Sequence, residues 1–444
     1  MEDHWCIAMS AAYPAPTLYE VTSLTHDGRG VAHVGGKALF IAGALPGERV
    51  TVRHLKKRRH FDEASVDSIE LASPERVTPQ CVHFGICGGC SLQHLDAGAQ
   101  IRAKQEHLLE ELRRTGRVVP ERILEPLVDA SWNYRRRARL GARFVTKKGR
   151  VVVGFRERAA PFVADLARCE ILAPPLDAMI ALLGEMLTTL DIRSHVPQIE
   201  IAVADNVTAL VFRVLQRPST ADLDRLRAFG QRFQVQIHLQ EGGIDSAAPL
   251  DESTPLVYRL ADFGLEFTFR PTDFIQINAA INRRMIARAL DLLEVQTQDT
   301  VLDLYCGLGN FTLPLARHAA HVVGIEGEAD LIGRARDNAR CNSISNVDFH
   351  VADLTAVDRQ LPWTQRPYAR VLLDPPRVGA SEEVLRLVAS SGAGRVVYVS
   401  CHPGSLARDS GILAGEMGFR LEAAGVIDMF PHTSHVESIA LFAR

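Results

Sequence analysis

A single cysteine, Cys401, follows the apolar run "VVYVS" and precedes "HPGSLARD". That is the end of one expected strand and the head of one expected helix, the place where open α/β sheets bind ligands. A thiolate there is a nucleophile able to split one difficult step into two easier ones. Cysteine is also prone to serve as a small buried hydrophobe, but its place at a strand end argues for chemistry. Further along, "FPHTSHVES" sets Glu437 just before the last apolar run. Glu437 is the best general base, while His432 and His435 are rivals for that role or helpers of the thiolate.

The motif "DLYCGLGNFTLPLA" points to what the thiol works with. Asp303 ends its strand, and Gly307 and Gly309 let the backbone turn tightly and approach a ligand. Glu326 closes "VVGIEG" 17 residues after Gly309, where a carboxylate can take two ribose hydroxyls, and Asp353 of "HVADL" ends the third strand near an adenine. The absent third glycine counts against NAD, so the ligand is read as S-adenosylmethionine. The fourth strand end, "VLLDPPR", puts Asp374 on a rigid edge, because proline locks its own φ and restricts its predecessor. A planar base can lie against that edge. Amino-group methyltransferases follow a similar Pro-Pro with an aromatic residue, whereas Arg377 stands here, which argues for a carbon target. Carbon 5 of uracil is one. A thiolate adding to carbon 6 makes an enolate whose carbon 5 attacks the sulfonium methyl, and a base then removes the carbon 5 proton so that the thiol leaves.

Three blocks must position these residues. Residues 17–75 read as short strands punctuated by Gly, Asp and Pro, an OB-like β-barrel behind a loose tail over 1–16. Residues 76–270 hold a cysteine cluster, one amphipathic helix after it and an irregular α+β domain. From 271 to 444, strand and helix alternate, which predicts a doubly wound parallel sheet with helices on both faces. There is no internal repeat.

The segment "CVHFGICGGC" spaces Cys81, Cys87 and Cys90 by five and then two residues, and Cys169 is the remaining cysteine of the middle block. Three thiols this close signal a metal, and four suit either an iron–sulfur cluster or tetrahedral zinc. His83 or His94 could complete a zinc site of three cysteines and one histidine. Cys6, Cys306 and Cys341 lack partners and read as bystanders.

The net charge of −3 does not announce a nucleic-acid partner, yet the basic residues cluster in "RHLKKRRH" (53–60), "YRRRAR" (134–139) and "TKKGR" (146–150). The first two of those runs fit phosphate contacts, with Trp132 and Tyr134 available to stack on unpaired bases. No apolar run reaches the roughly 18 residues of a membrane helix, and the eight cysteines are too few for a disulfide framework. The expectation is a cytoplasmic protein that meets no membrane, with no protein partner implied.

Assembled, the blocks "FIQIN", "DLYCGLGNFT", "VGIE", "DPPR", "SCHPGSLARD" and "HVE" resemble the RNA uracil-C5 methyltransferases, most closely their bacterial 23S ribosomal RNA branch. The resemblance implies a class I, Rossmann-like α/β methyltransferase domain, a TRAM domain for the barrel, and 23S ribosomal RNA as substrate. It implies that Gln276, Tyr305, Asn310, Glu326, Asp353 and Asp374 line the cofactor site, that Cys401 is the nucleophile and that Glu437 is the base. It also implies a [4Fe-4S] cluster on Cys81, Cys87, Cys90 and Cys169. One departure is His402, where the family usually has Asn after the nucleophile. Competing readings are the same chemistry at another ribosomal or transfer RNA uridine, cytosine-C5 methylation, an RNA-binding protein with a silent fold, and a redox sensor built on the cluster. Cytosine enzymes carry a second cysteine in the fourth-strand motif, which "DPPR" lacks.

Overall fold

The computed structural model describes residues 17–158 and 160–444, so the expected tail over 1–16, with Cys6, lies outside the described residues. Six short strands open the described chain, in the sheet order Tyr19–Glu20, Arg49–Lys57, Phe61–Leu71, Lys37–Ala42, Gly30–Val34 and Ser23–Leu24. The two edge strands are consecutive in sequence. Val21 donates to Glu48 O and Thr22 to Val31 O, so one bent strand joins both edges and closes the barrel. Its core is small, formed by Val21, Ala32, Leu39, Ile41, Ala44, Val50 and Ala64. Gly30 is required there, since a Cβ would stand 2.7 Å from Val21 Cγ1 and 2.8 Å from Ala44 Cβ.

A wholly buried carboxylate, Glu48, ties this unit together. Arg76 meets it with two bonds, Nε to Oε1 at 2.5 Å and Nη2 to Oε2 at 2.9 Å, and the Leu45 N–H donates to Oε2 at 2.8 Å. Burial pulls the Glu48 carboxyl up, but the guanidinium and the backbone donors outweigh it and hold it below the ordinary value. Residues 53–60, the "RHLKKRRH" run, are exposed throughout.

The barrel unit ends at Thr78 and takes in His94–Asp96, while Pro79–Gln93 and Ala97–Arg444 form the second unit. Its central part is a sheet in the order Ala247–Pro249, Val235–Gln240, Thr208–Arg213, Gln198–Val203, Arg137–Val145 and Arg150–Gly154, with helices Ile180–Thr189 and Thr220–Phe233. The seven catalytic strands are β1 (Thr300–Leu304), β2 (His321–Glu326), β3 (Val347–Val351), β4 (Arg370–Leu373), β5 (Arg395–Ser400), β6 (Arg420–Ile427) and β7 (Glu437–Ala443). They lie in the order β3-β2-β1-β4-β5-β7-β6. β1 to β5 are parallel and read as nearly continuous apolar runs because helices cover both faces.

Two features depart from the expected all-parallel sheet. β7 runs antiparallel to both β5 and β6, because the nine residues 428–436 are too few for the helical crossover that a parallel connection needs. A strand from far upstream, Arg122–Ile123, also pairs with β6, and N–H groups of Glu121, Leu124 and Leu127 donate to carbonyls of Leu421, Ala424 and Val426. It covers an edge that would otherwise be bare. Among the described residues no helix is long and apolar enough to cross a membrane.

Removing one partner of the buried Glu48–Arg76 pair strands the other charge, so Glu48→Ala should destabilise the barrel by about 3–5 kcal/mol. The Glu48 carboxyl is depressed in the folded state, so its contribution is full above the ordinary carboxylate value and fades as pH falls through the folded one. Protease cleavage within the barrel, followed against urea and pH, checks both; unchanged cleavage in the variant would remove the pair as the closing element.

Candidate active site

The carboxyl edge of the sheet gathers the residues singled out from sequence. Glu326 closes β2, Asp374 follows β4 and Cys401 follows β5. β7 runs the opposite way, so its first residue lies at that same edge. Ser400 is opposite Ser438, the last pair of that register, and Cys401 and Glu437 come next on the two chains, close enough for the Glu437 carboxylate to act on the thiol. Cys401 is half-buried, and Glu437 is only 4% exposed.

Burial governs the charges here. It pushes the Cys401 thiol up to about 11, helped by the carboxylates of Glu437 and Asp374 and opposed by Arg377. Asp374 is raised to about 7 by burial. Glu437 is raised well above the ordinary carboxylate value by burial, then by Asp374, with Arg377 again opposing. Arg377 is thus a cation close to both Cys401 and Glu437. The sequence reading used it only to choose a carbon target, and its place right after "DPP" was the signal for more.

The rival bases are otherwise engaged. His432 stacks on Trp132 with ring centroids 3.9 Å apart, and burial drives it down to about 4. His435 sits with Nδ1 3.4 Å from Arg377 Nη2. Of the two expected RNA-stacking residues, Tyr134 changes role. Tyr134 is buried and donates its hydroxyl to Pro431 O at 3.1 Å, and one face of Trp132 is spent on His432. The neighbouring arginines are built into the fold as well: Arg136 pairs with Asp205, Arg137 bonds the Asp273 carbonyl, and Arg139 meets Glu200 at 2.9 Å. Lys148 and Arg150 of "TKKGR" pair with Asp165.

On the cofactor side, Tyr305 (φ 67°), Gly307 (φ 56°) and Gly309 (φ 97°) all turn through the left-handed region after β1. Nothing stands within 4 Å of where a Gly307 Cβ would project, which leaves bare backbone for a ligand. Glu326 accepts N–H groups from Gly307 at 3.1 Å, Gly327 at 2.7 Å and Glu328 at 3.2 Å, which fixes its carboxylate at the loop. Exposed Asp353 accepts from Thr355 N–H and Oγ1 and is lowered by those bonds. Asp303 sits beneath, bonded by Thr312 Oγ1 at 2.5 Å and raised to about 7 by burial. Asn310 is braced sideways. Its amide exchanges two bonds with Asn282, at 3.0 and 2.9 Å, and takes the Tyr258 hydroxyl at 3.2 Å, partners the sequence did not reveal. Gln276 lines a cavity of about 260 Å³ with Trp132, Arg136, Tyr258 and Asn282.

His402 caps the helix Pro403–Gly415, its Nδ1 accepting the Ser405 N–H at 3.1 Å. An asparagine Oδ1 serves the same position, so the departure keeps the cap. Ser405 Oγ donates in turn to Arg377 O at 2.5 Å, which ties the "DPPR" turn to the nucleophile's helix.

Cys81, Cys87, Cys90 and Cys169 line one small cavity with Phe84, Phe155 and Leu166. Burial, then the neighbouring thiols, raises Cys90 to about 12 and Cys169 to about 11. The Gly89 N–H points at Cys87 Sγ from 3.4 Å, and a Cβ on Gly88 would meet Arg156 O at 2.9 Å, so this hairpin seats closely. Four soft donors with N–H support fit a thiolate-held metal group. Among the described residues, no three His, Cys, Asp or Glu are gathered to hold a metal ion. His83 Nε2 already accepts the Ala167 N–H at 3.1 Å, and His94 belongs to the barrel unit. Cys306 is buried and Cys341 exposed, both outside that cavity.

Known proteins share this arrangement. The family model described as tRNA (Uracil-5-)-methyltransferase matches residues 251–444, and that of the TRAM domain matches residues 20–66. The 23S rRNA (uracil(1939)-C(5))-methyltransferase RlmD of Stenotrophomonas maltophilia strain K279a is 51% identical over 433 residues, 97% of each chain. The RlmD of Xylella fastidiosa strain Temecula1 is 52% identical over 429 residues, 96% of this chain and 97% of its own. Among solved structures, the Pyrococcus abyssi tRNA (uracil-54, C5)-methyltransferase in complex with S-adenosyl-L-homocysteine covers 96% of this chain and 99% of its own. Its TM-score is 0.75 at 22% identity, a likeness of fold.

With its thiol held near 11, Cys401 should be alkylated by iodoacetamide at a rate rising about tenfold per pH unit through pH 9, read by mass spectrometry of its peptide. Glu437→Gln removes a raising charge and should speed alkylation at fixed pH. A plateau by pH 8 would contradict a buried, carboxylate-flanked thiol.

Proposed function

Because the chain belongs to the RNA uracil-C5 methyltransferases, we propose that it methylates carbon 5 of one uridine in 23S ribosomal RNA, the counterpart of uracil 1939 named for its relatives. The closeness of Cys401 and Glu437 at the adjoining ends of β5 and β7 carries this reading. The target uridine leaves its stack to enter the site, as base-modifying enzymes require. The Cys401 thiolate bonds to carbon 6, and the C5–C6 π electrons move onto the carbonyl oxygen as an enolate. S-adenosylmethionine, when bound, supplies the electrophilic methyl group that carbon 5 takes. Glu437 then accepts the carbon 5 proton, the ring double bond re-forms, and Cys401 leaves as thiolate.

The raised carboxyls suit these roles, because a desolvated Glu437 is a strong base and Arg377 favours the thiolate. Glu326 would hold the ribose hydroxyls, Asp353 the adenine end, and Tyr305, Asn310, Gln276 and Asp374 the remainder of the cofactor site. The exposed run 53–60 of the TRAM barrel offers phosphate contacts, and the place of action is the cytoplasm. Cys81, Cys87, Cys90 and Cys169 would hold a [4Fe-4S] cluster. Four thiols lining one cavity, with the family resemblance, support this reading over a lone zinc ion. Methyl transfer takes no electrons from such a group, so its part is to fold the hairpin.

Incubation with unmodified 23S ribosomal RNA and methyl-labelled S-adenosylmethionine should yield 5-methyluridine at one site; Cys401→Ala should abolish it while still binding the cofactor. Glu437→Gln should slow turnover by about 10²–10⁴-fold and leave a covalent RNA adduct on a denaturing gel. Label in transfer RNA alone would overturn the substrate, and turnover by Cys401→Ala would overturn the covalent route.

Protein purified without oxygen should carry iron and acid-labile sulfide in equal amounts and absorb broadly near about 400 nm, features lost in Cys169→Ser. Zinc at one per chain, without sulfide, would replace the cluster by a mononuclear site.

A further inference from the structure

The loop that delivers Glu437 takes its anchors from outside the catalytic sheet. The carbonyl of His432 accepts two N–H groups, those of Ser91 and Leu92, each at 2.9 Å. Ser91 Oγ accepts the Ser434 N–H at 2.9 Å. Ser91 and Leu92 directly follow Cys90, so the cysteine hairpin grips the loop. The helix Ala97–Glu111 adds a clip: Gln100 Oε1 accepts the His432 N–H at 3.0 Å, and Gln100 Nε2 donates to Leu92 O at 3.0 Å. Lys104, buried at 3% exposure, reaches Asp428 at 2.7 Å and the Phe430 carbonyl at 3.0 Å.

His432 stands at the centre of this strap. Its φ of 64° is a left-handed conformation that costs a residue with a Cβ energy, and it persists only where the surroundings over-determine it. The Trp132 ring on one side, the two N–H donors on another and the Gln100 amide on a third supply that determination. None of these partners touches the reacting atoms. Cys401 depends on different supports, the His402 cap and the packing of its helix, where a Cβ on Gly411 would stand 2.7 Å from Gly116 O.

We propose that His432 is a positioning residue for the general base, and that the fold of the hairpin after Cys90 is coupled through it to one step of the reaction. The proposal rests on the reading of Glu437 as that base. In the dependent step the carbon 5 proton passes to the Glu437 carboxylate, the C–H electron pair becomes the C5–C6 double bond, and the C6–S pair leaves with Cys401 sulfur. Adduct formation and methyl transfer come earlier and use Cys401. A loosened strap therefore slows release of the methylated RNA and spares its methylation. Whatever orders the hairpin therefore orders the base.

The test uses the full chain with His432→Asn, which tolerates the left-handed backbone but loses the ring stack, and Gln100→Leu, which loses the clip. Single-turnover reactions with methyl-labelled S-adenosylmethionine and unmodified 23S ribosomal RNA separate label reaching RNA from label remaining protein-bound on a denaturing gel. In both variants label should reach RNA at the wild-type rate, while the covalent adduct should persist at least about tenfold longer, in the manner of Glu437→Gln run alongside. A rise in Trp132 emission in His432→Asn verifies that the stack is gone. Equal slowing of transfer and release, or release at the wild-type rate, overturns the strap. Absence of adduct in Glu437→Gln itself overturns the base assignment instead.

Discussion

The reversed strand β7 is the constraint on which the site depends. In a wholly parallel sheet every strand brings its carboxyl end to the ligand edge, and residues at strand starts lie a strand's length away. Reversing one strand brings a strand start to that edge. The pairing of Ser400 with Ser438 then brings the neighbours Cys401 and Glu437 close with no side-chain contact needed to align them. Backbone hydrogen bonds set the spacing of these two strand ends, and a slip of one residue would turn Glu437 to the other face of the sheet.

That geometry gathers acids in a desolvated place. Asp303 and Asp374 are each raised to about 7, and Glu437 is raised well above the ordinary carboxylate value. Such crowding costs folding energy, and a fold retains it where the charge has a use. Here the basin complements a cation such as a sulfonium, whose thioether product carries no charge to be held. Arg377 is the protein's own counterweight, placed close to both Cys401 and Glu437.

Much of this was legible in the sequence because it rests on local rules. Strand–helix alternation gave the sheet, glycines and Pro-Pro gave the turns, and residues at strand ends fell at the ligand edge. Cys401, Glu326 and Asp374 reach that edge by this rule alone, whereas Glu437 reaches it only through the reversal of β7, which alternation did not foretell. What escaped was long-range pairing. The Arg122–Ile123 edge strand carries no signal tying it to β6, some 300 residues later in the chain. Tyr134 and the "RRRAR" run looked like an RNA surface because a charge pattern cannot show that Asp205, Asp273 and Glu200 wait across the fold. His402 was a puzzle as a letter and becomes ordinary as a helix cap.

The same distinction explains why the loop before Glu437 is braced from so far away. A loop at the ligand edge of the sheet cannot be covered by its own sheet and still leave that edge open. Its backbone groups still need partners. The hairpin after Cys90 and the helix behind it supply them from the side away from the substrate, through the Ser91, Leu92 and Gln100 bonds to His432 and the burial of Lys104 against Asp428. The hairpin that carries three of the cysteines is thereby tied by backbone bonds to the loop that leads into β7, so the order of one bears on the order of the other.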